Sequence, residues 1–549
     1  MRTISLFTVL LTLFSLNSAK GTEHNFSTPS EQIRTVLERE NPGGRLIVRE
    51  AVLVNAEAIH RFYDTRGFVE AWSENGILLE KAYELRFEIK QSKYDGLNPA
   101  NYHLALIEAF FQSFESNKQK GIPNDVMEVA DLDLLLTDAF FRLAAHLEIG
   151  KVDPGKLKSS WDISRKPQRE DYVLLLSQAL QSNEIRKALE KLYPDFSIYR
   201  KGREVVRRMD ELQKRDTLNW KPIKMDQSIK LGQFNNSVPL IRQRLAFWGY
   251  LDPSLISEDK IYDSMLVSAV KDFQRSNGME PDGSIGKNTA AALNASPAAL
   301  MDIAALNLER LRWLPDTVRE AEFILINIAN YQLDYIDKLD TLFSTKVIVG
   351  KQYHESPIFS AQMSYIVFSP YWNIPNSIAR AEILPAVRKN PNYLQQKNME
   401  VITTSGKVVD PASVNWQSKS FPYLIRQKPG GNNSLGLVKF MFPNSHSVYI
   451  HDTPGKSLFE KEDRALSHGC IRIQNPVKFA QILLKDDPRW TPQRIDEAMH
   501  QTKEQIVNLP RKIPVVLVYL TFWADSQGKA HFRQDIYERD ADLLALLKK

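Results

Sequence analysis

The chain has 549 residues, 43% of them apolar and 25% charged, with a net charge of +5. That composition describes an ordinary soluble globular protein, and its length calls for several domains, because single cores stop growing near about 250–300 residues. So small a net charge, with no basic tract, argues against a nucleic-acid partner and allows only loose attraction to an acidic surface.

The N-terminus reads MRTISLFTVLLTLFSLNSAKG. Arg2 gives a positive start, Ile4 to Leu16 are mostly apolar, and small residues follow at Ser18 and Ala19. This is the grammar of a secretory signal peptide over residues 1–19, cut near Ala19. The run is shorter than the roughly 20 apolar residues of a membrane span; an uncleaved membrane anchor is the alternative. The lack of a cysteine after the run argues against a lipoprotein. The expected location is a bacterial periplasm or the cell exterior.

Residues 25–225 read as mainly helical. DLDLLLTDAFFRLAAHLEIG places Leu132, Leu135, Ala139, Leu143 and His146 near helical spacing, with Gly150 as the stop. VRRMDELQKR is a further helix, and NPGGRLIVREAVLV has the look of a short strand. Nothing in this region gathers residues that could do chemistry, so a structural or docking role is expected.

Residues 230–297 form a separate small unit. SVPLIRQRLAFWGYL is an amphipathic helix opening at Ser237 with Pro239 just inside it. VKDFQRSNGMEPDGSIGKNTAAALN then gives a helix, a Gly- and Asp-rich loop and another helix. This stretch resembles a three-helix peptidoglycan-binding domain, with glycines and Asp282 at fixed offsets in the turn. The resemblance implies affinity for cell-wall stem peptides or glycan; a helical spacer that has lost its ligand is the plainer reading.

From Glu322 the texture changes to strands, giving a mostly β domain over 322–540. FILINIANYQLDYID and LFSTKVIVG alternate or run β-branched, LGLVKFMFPNSHSVYIHDTP is two strands around a turn, and IPVVLVYLTFWAD is a long late strand followed by a hairpin. Within it, residues 380–436 have helical character and then Pro, Gly and Asn, as an insertion ending in a mobile loop over a site would. Tyr371 and Trp372 in SPYWNIP suit a substrate groove and core packing equally. His354 and Lys351, after Gly350, read as turn residues, and His446 as a surface residue.

SHGCIRIQNP holds Cys470, the single cysteine of the chain. It has no disulfide partner within the chain, so it is either an inert filler or a reagent. A thiol with a pKa near about 8.5 needs a base or a positive field to become a nucleophile. His468 lies two residues before it. His451 ends the strand SVYIHDT, and Tyr449 faces the same way by alternation. CIRIQNP sets Cys470 and Arg472 against Ile471 and Ile473, one side reactive and one facing a core. Gly469 allows a sharp bend, and its N–H with that of Cys470 could cradle an oxyanion.

His451 followed by Ser467-His468-Gly469-Cys470-Ile471-Arg472 resembles the YkuD-type L,D-transpeptidase signature. FYDTRGFVEAW, YDGLNPANYH, LNLERLRWLP and SPYWNIPNSIARAEILP are similar to the large periplasmic L,D-transpeptidases of Gram-negative bacteria. The resemblance implies a multidomain α+β fold: a helical scaffold, a three-helix peptidoglycan-binding domain, and a mostly-β sandwich catalytic domain with an inserted capping subdomain. It implies Cys470 as nucleophile, His451 as base and supporting roles for His468, Gly469 and Arg472; Arg472, Tyr449, Trp372 and Tyr371 are the candidate substrate contacts, with plain packing the alternative for the three aromatic residues. The implied reaction is acyl transfer from a tetrapeptide stem, through a thioester, to a diaminopimelate amine, giving a 3→3 cross-link. No metal or cofactor is implied. Acylation by carbapenems and partnership with other cell-wall synthesis enzymes are implied.

Three other readings stand beside it. Water in place of the acceptor amine would make an L,D-carboxypeptidase. His446, His451, His468 and Cys470 could ligate zinc in a metal-dependent wall hydrolase, although no His-Glu-x-x-His or Cys-x-x-Cys is present. A non-catalytic wall-binding scaffold would keep the site as a relic.

Overall fold

The computed structural model describes residues 28–39, 45–157, 162, 167–218, 220–314, 322–338, 340–418 and 420–549. The signal-peptide expectation for residues 1–19 lies outside them. The chain divides into two compact units: residues up to 87 with 102–142 and 172–186, and residues 88–101 with 143–171 and 187–549. The helical region that reads as one domain over 25–225 is shared out between them. No single described helix is long and apolar enough to cross a membrane.

The first unit is helical, with a short hairpin of Leu46–Val48 and Ala51–Leu53. Its interior carboxylates are spent on structure. Asp133 accepts from the Tyr63 hydroxyl at 2.6 Å and from the N–H groups of Ala71 and Trp72 at 2.9 Å. Burial pushes its carboxyl up to about 6 against the pull of those bonds. Asp138 accepts from the Asn55 N–H at 3.0 Å and pairs with His103 at 2.7 Å.

In the second unit, helices Val238–Phe247, Ser264–Ser276 and Lys287–Leu293 enclose a core that includes Ile241, Leu245, Leu266, Val270 and Leu293. Here the offsets of the FQ…DG stretch have a structural cause. The buried Gln274 side chain donates to Asp282 and to the Ser284 carbonyl, both at 3.0 Å, and accepts from the Gly283 N–H at 2.9 Å. Gly283 has φ +75°, which favours glycine.

Nine strands among the described residues form one sheet. They are β1 (Glu322–Asn327), β2 (Gln332–Asp337), β3 (Asp340–Gly350), β4 (Ser360–Phe368), β5 (Val438–Met441), β6 (Ile450–His451), β7 (Ala465–Ser467), β8 (Ile471–Ile473) and β9 (Gln505–Val518). The order is β7-β3-β8-β6-β5-β4-β9-β1-β2, and β2 also pairs with β3, so every strand except β7 belongs to a closed ring. The enclosed core takes alternate residues: Ile324 and Ile326, Val347 and Val349, Val438 and Phe440, Ile450, and Ile471 and Ile473.

Between β4 and β5 the chain builds a second small sheet of four antiparallel strands: Trp372–Asn373, Met399–Ile402, Val408–Val409 and Leu424–Gln427. Ile383, Leu384, Val387, Val401 and Ile425 form its core. The sequence reading expects helix and then a mobile loop over 380–436. The helix is present from Asn376 to Lys389, with a π-helical turn at Ala379–Ile383. The sheet escapes a pattern reading because its strands are two to four residues long, too short for alternation to register.

Candidate active site

The site begins with two short parallel strands. In β6 and β8, Ile450 lies opposite Ile471 and His451 opposite Arg472, and the Ile471 N–H extends the ladder to the Tyr449 carbonyl at 3.1 Å. Both isoleucines are fully buried in the ring. By alternation, Tyr449, His451, Cys470 and Arg472 share the opposite face. The His451 ring lies 5.7 Å from that of Tyr449.

The His451 imidazole is buried, with Nδ1–H donating to the Asp452 carbonyl at 2.5 Å and the Leu435 carbonyl also acting on the ring. A carbonyl only accepts, so Nδ1 carries the proton and Nε2 is the free base. Asp452 is itself pinned. Its N–H donates to the Val438 carbonyl at 2.9 Å, and its carboxylate takes the Leu437 N–H at 2.9 Å and Lys456 Nζ at 2.5 Å. Gly436, at φ +62°, passes so close that a β-carbon there would stand 2.2 Å from Asp452 Oδ2.

Burial, reinforced by the Arg472 charge, pushes the imidazole down to about 3, against the pull of the Asp452 and Leu435 carbonyls. Burial pushes the Cys470 thiol up. Hydrogen bonds from the Tyr449 N–H and hydroxyl, with the Arg472 charge, pull the other way. Both shifts favour a neutral thiol and a neutral imidazole over a preformed ion pair. Burial also lowers Arg472. Its Nε is buried without a hydrogen-bond partner among the described residues.

The turn before Cys470 is locked from two sides. Ser467 Oγ donates to the Cys470 carbonyl at 2.6 Å and accepts from the Gly469 N–H at 3.1 Å. The Gly469 N–H is therefore occupied, which corrects the expectation that it faces an oxyanion. The Gly469 carbonyl accepts from buried Ser356 Oγ at 2.8 Å, and the same oxygen accepts from the Gly350 N–H at 3.0 Å. Gly469 has φ +112° and a β-carbon there would meet nothing closer than 3.8 Å. The backbone, not crowding, calls for glycine.

Other sequence-derived candidates fall elsewhere. His468 is exposed, 3.2 Å from Glu382 of the insertion, with its ring 5.4 Å from that of His354. Tyr371 stacks under Arg426 at 4.3 Å, and Trp372 packs on the insertion's core. Both serve the four-stranded sheet. His446 bonds Asp162 at 2.8 Å and lies against Phe359. The four side chains weighed as zinc ligands thus go to separate partners. No group of three or more His, Cys, Asp and Glu among the described residues could hold a metal ion. The sequence reading missed Asp452, Gly436 and Ser356. Asp452 alone left a signal, as the neighbour of His451.

Comparison with known proteins places a family on this geometry. Residues 321–494 match the YkuD family, described as an L,D-transpeptidase catalytic domain. Residues 235–293 match a "Putative peptidoglycan binding domain" and residues 57–205 a scaffold domain. Strand β9 lies beyond the matched span yet completes the ring between β4 and β1. A curated relative named "Putative L,D-transpeptidase", from Haemophilus influenzae (strain ATCC 51907 / DSM 11121 / KW20 / Rd), is 36% identical over 241 residues, 44% of this chain. The match spans about half of that relative, 48% of its length. Similar solved structures include the L,D-transpeptidase (residues 123–326) from Xylanimonas cellulosilytica DSM 15894, at 14% identity over 54% of this chain and 100% of that one, TM-score 0.17. An L,D-transpeptidase from Stackebrandtia nassauensis is 14% identical over 54% and 97%, TM-score 0.20.

Proposed function

We propose that the chain is a cysteine-dependent L,D-transpeptidase that forms 3→3 cross-links in peptidoglycan, acting in the periplasm. The observation that carries this reading is the face shared by Cys470, His451 and Arg472, with Nδ1 of His451 committed to the Asp452 carbonyl and Nε2 left as a base.

In the proposed acylation, His451 Nε2 takes the thiol proton as the sulfur attacks the carbonyl between diaminopimelate and the terminal D-alanine of a tetrapeptide stem. Deprotonation is coupled to attack because the resting thiol is neutral. The buried Arg472 charge favours the negative charge that passes from sulfur to carbonyl oxygen. The C–N bond breaks, Nε2 returns the proton to the departing D-alanine amine, and a thioester remains on Cys470. A diaminopimelate side-chain amine of a second stem then attacks the thioester and loses a proton to Nε2, the C–S bond breaks as the new amide forms, and Nε2 returns the proton to sulfur to restore the thiol. Water in place of the amine would give tripeptide, the carboxypeptidase outcome. The same nucleophile would take a carbapenem as a stable acyl adduct.

The test is incubation of the purified protein with disaccharide-tetrapeptide and product analysis by mass. A dimer lacking one alanine is expected, with none from Cys470→Ala. Tripeptide alone would replace the reading with a carboxypeptidase. An unchanged donor alongside an alkylatable Cys470 would reject it.

A further inference from the structure

The register of the sheet extends the site by one residue. On the side of His451 away from Arg472, strand β5 places Lys439 directly opposite the imidazole. Its neighbours Val438 and Phe440 are fully buried in the ring, so Lys439 stands on the same face as His451, Cys470 and Arg472. One row crosses the sheet: Arg472, His451, Lys439, then Val367 and exposed Ile506. Adjacent members are about 5 Å apart at the backbone. A cation therefore flanks the base on each side.

Lys439 is half-buried and makes no ion pair or hydrogen bond among the described residues. The one acidic group felt at its position is Glu504, and burial outweighs it, so the ammonium is held below the usual lysine range. Glu504 turns Oε2 to the Tyr371 N–H at 3.4 Å. A half-buried ammonium beside a base, with Glu504 acting only at a distance and no direct ion pair among the described residues, is costly unless a ligand supplies the charge.

The direction of the reaction says which charge. Arg472 follows Cys470 on the same strand, so sulfur and developing oxyanion fall on that flank. The departing amine receives its proton from His451, so the leaving residue lies across the imidazole, toward β5. Its carboxylate is attached one carbon from that amine. We propose that Lys439 binds the C-terminal carboxylate of the donor stem's leaving residue, and so selects donors that end where the scissile bond's leaving residue ends. This rests on the transpeptidase reading and adds the donor's free terminus as a specificity element.

The test compares two donors on the full chain: disaccharide-tetrapeptide with a free C-terminal carboxylate, and the same compound as its C-terminal carboxamide. Release of D-alanine or D-alaninamide is followed over a range of concentrations. The wild type should favour the acid. Lys439→Met should raise KM for the acid by roughly 10- to 100-fold, the range of one charge-assisted hydrogen bond, with kcat and the amide's constants little changed. Lys439→Arg should restore part of the preference. Lys439→Gln serves as a second neutral variant if the methionine protein fails to fold. The inference is overturned if a folded neutral variant keeps the wild-type preference, or loses rate on both donors alike. Should the wild type release nothing from either donor, the transpeptidase reading falls first and takes this one with it.

Discussion

Gly436 and Asp452 are in contact so close that no β-carbon fits between them: one built on Gly436 would lie 2.2 Å from the carboxylate. Asp452 holds His451 in its tautomer through its carbonyl, so this packing is one step from the base. Gly436→Ala must displace Asp452 and also strains a φ of +62°, at about 1–3 kcal/mol. A misplacement of the order of an ångström costs roughly 100-fold in rate. Acylation of Cys470 by tetrapeptide, read by intact mass, should slow by about that factor while the protein still folds. A wild-type acylation rate in Gly436→Ala would remove Asp452 from the mechanism.

Ser356 joins the two sides of the nucleophile's turn, donating to the Gly469 carbonyl and accepting from the Gly350 N–H. It is fully buried. Ser356→Ala leaves both backbone groups without that partner, which costs about 1–3 kcal/mol. The expected result is a lower melting temperature and slower acylation. Exposed Ser445→Ala is the control and should change neither. Equal melting of the two variants would show that Ser356 does not hold the turn.

The part of the site legible in the sequence is the part written in local pattern. Alternation put Tyr449 with His451 and Cys470 with Arg472, and the sheet joins the two pairs because β6 and β8 are adjacent and parallel. The three-helix unit was legible because its turn needs Gln274, Asp282 and Gly283 at fixed offsets. What stayed hidden depends on contacts between distant segments. Ser356 meets Gly469 across 113 residues, and Lys439 meets His451 only through strand pairing. Tyr371 and Trp372 were ambiguous because an aromatic pair suits a groove or a core equally, and here the insertion's own core takes Trp372. The neutral resting state was also out of reach, since burial sets it.

That neutral state has a kinetic signature. Because burial raises the Cys470 thiol, alkylation by iodoacetamide should climb about tenfold per pH unit through pH ~8.5, the ordinary thiol value, without levelling. Tyr449→Phe and Arg472→Met each remove a group that favours the thiolate, so both should alkylate more slowly than the wild type at pH ~8. A wild-type rate already flat below pH ~7 would mean a preformed thiolate and would contradict the buried, neutral pair.

His451 also links the site to stability. Its folded pKa is lowered to about 3 from 6.5. Between those values the unfolded chain binds a proton that the folded one does not, so stability rises with pH across that window. The contribution is complete above pH ~6.5 and is lost as pH falls toward ~3, by on the order of 1 kcal/mol per unit. His451→Gln removes the titrating group. Its denaturation midpoint should therefore fall less steeply than that of the wild type between pH ~6.5 and ~4, and the two curves should run parallel above pH ~7. Parallel curves throughout would place the imidazole in water in the folded protein, where it could not serve as the buried base proposed for Cys470.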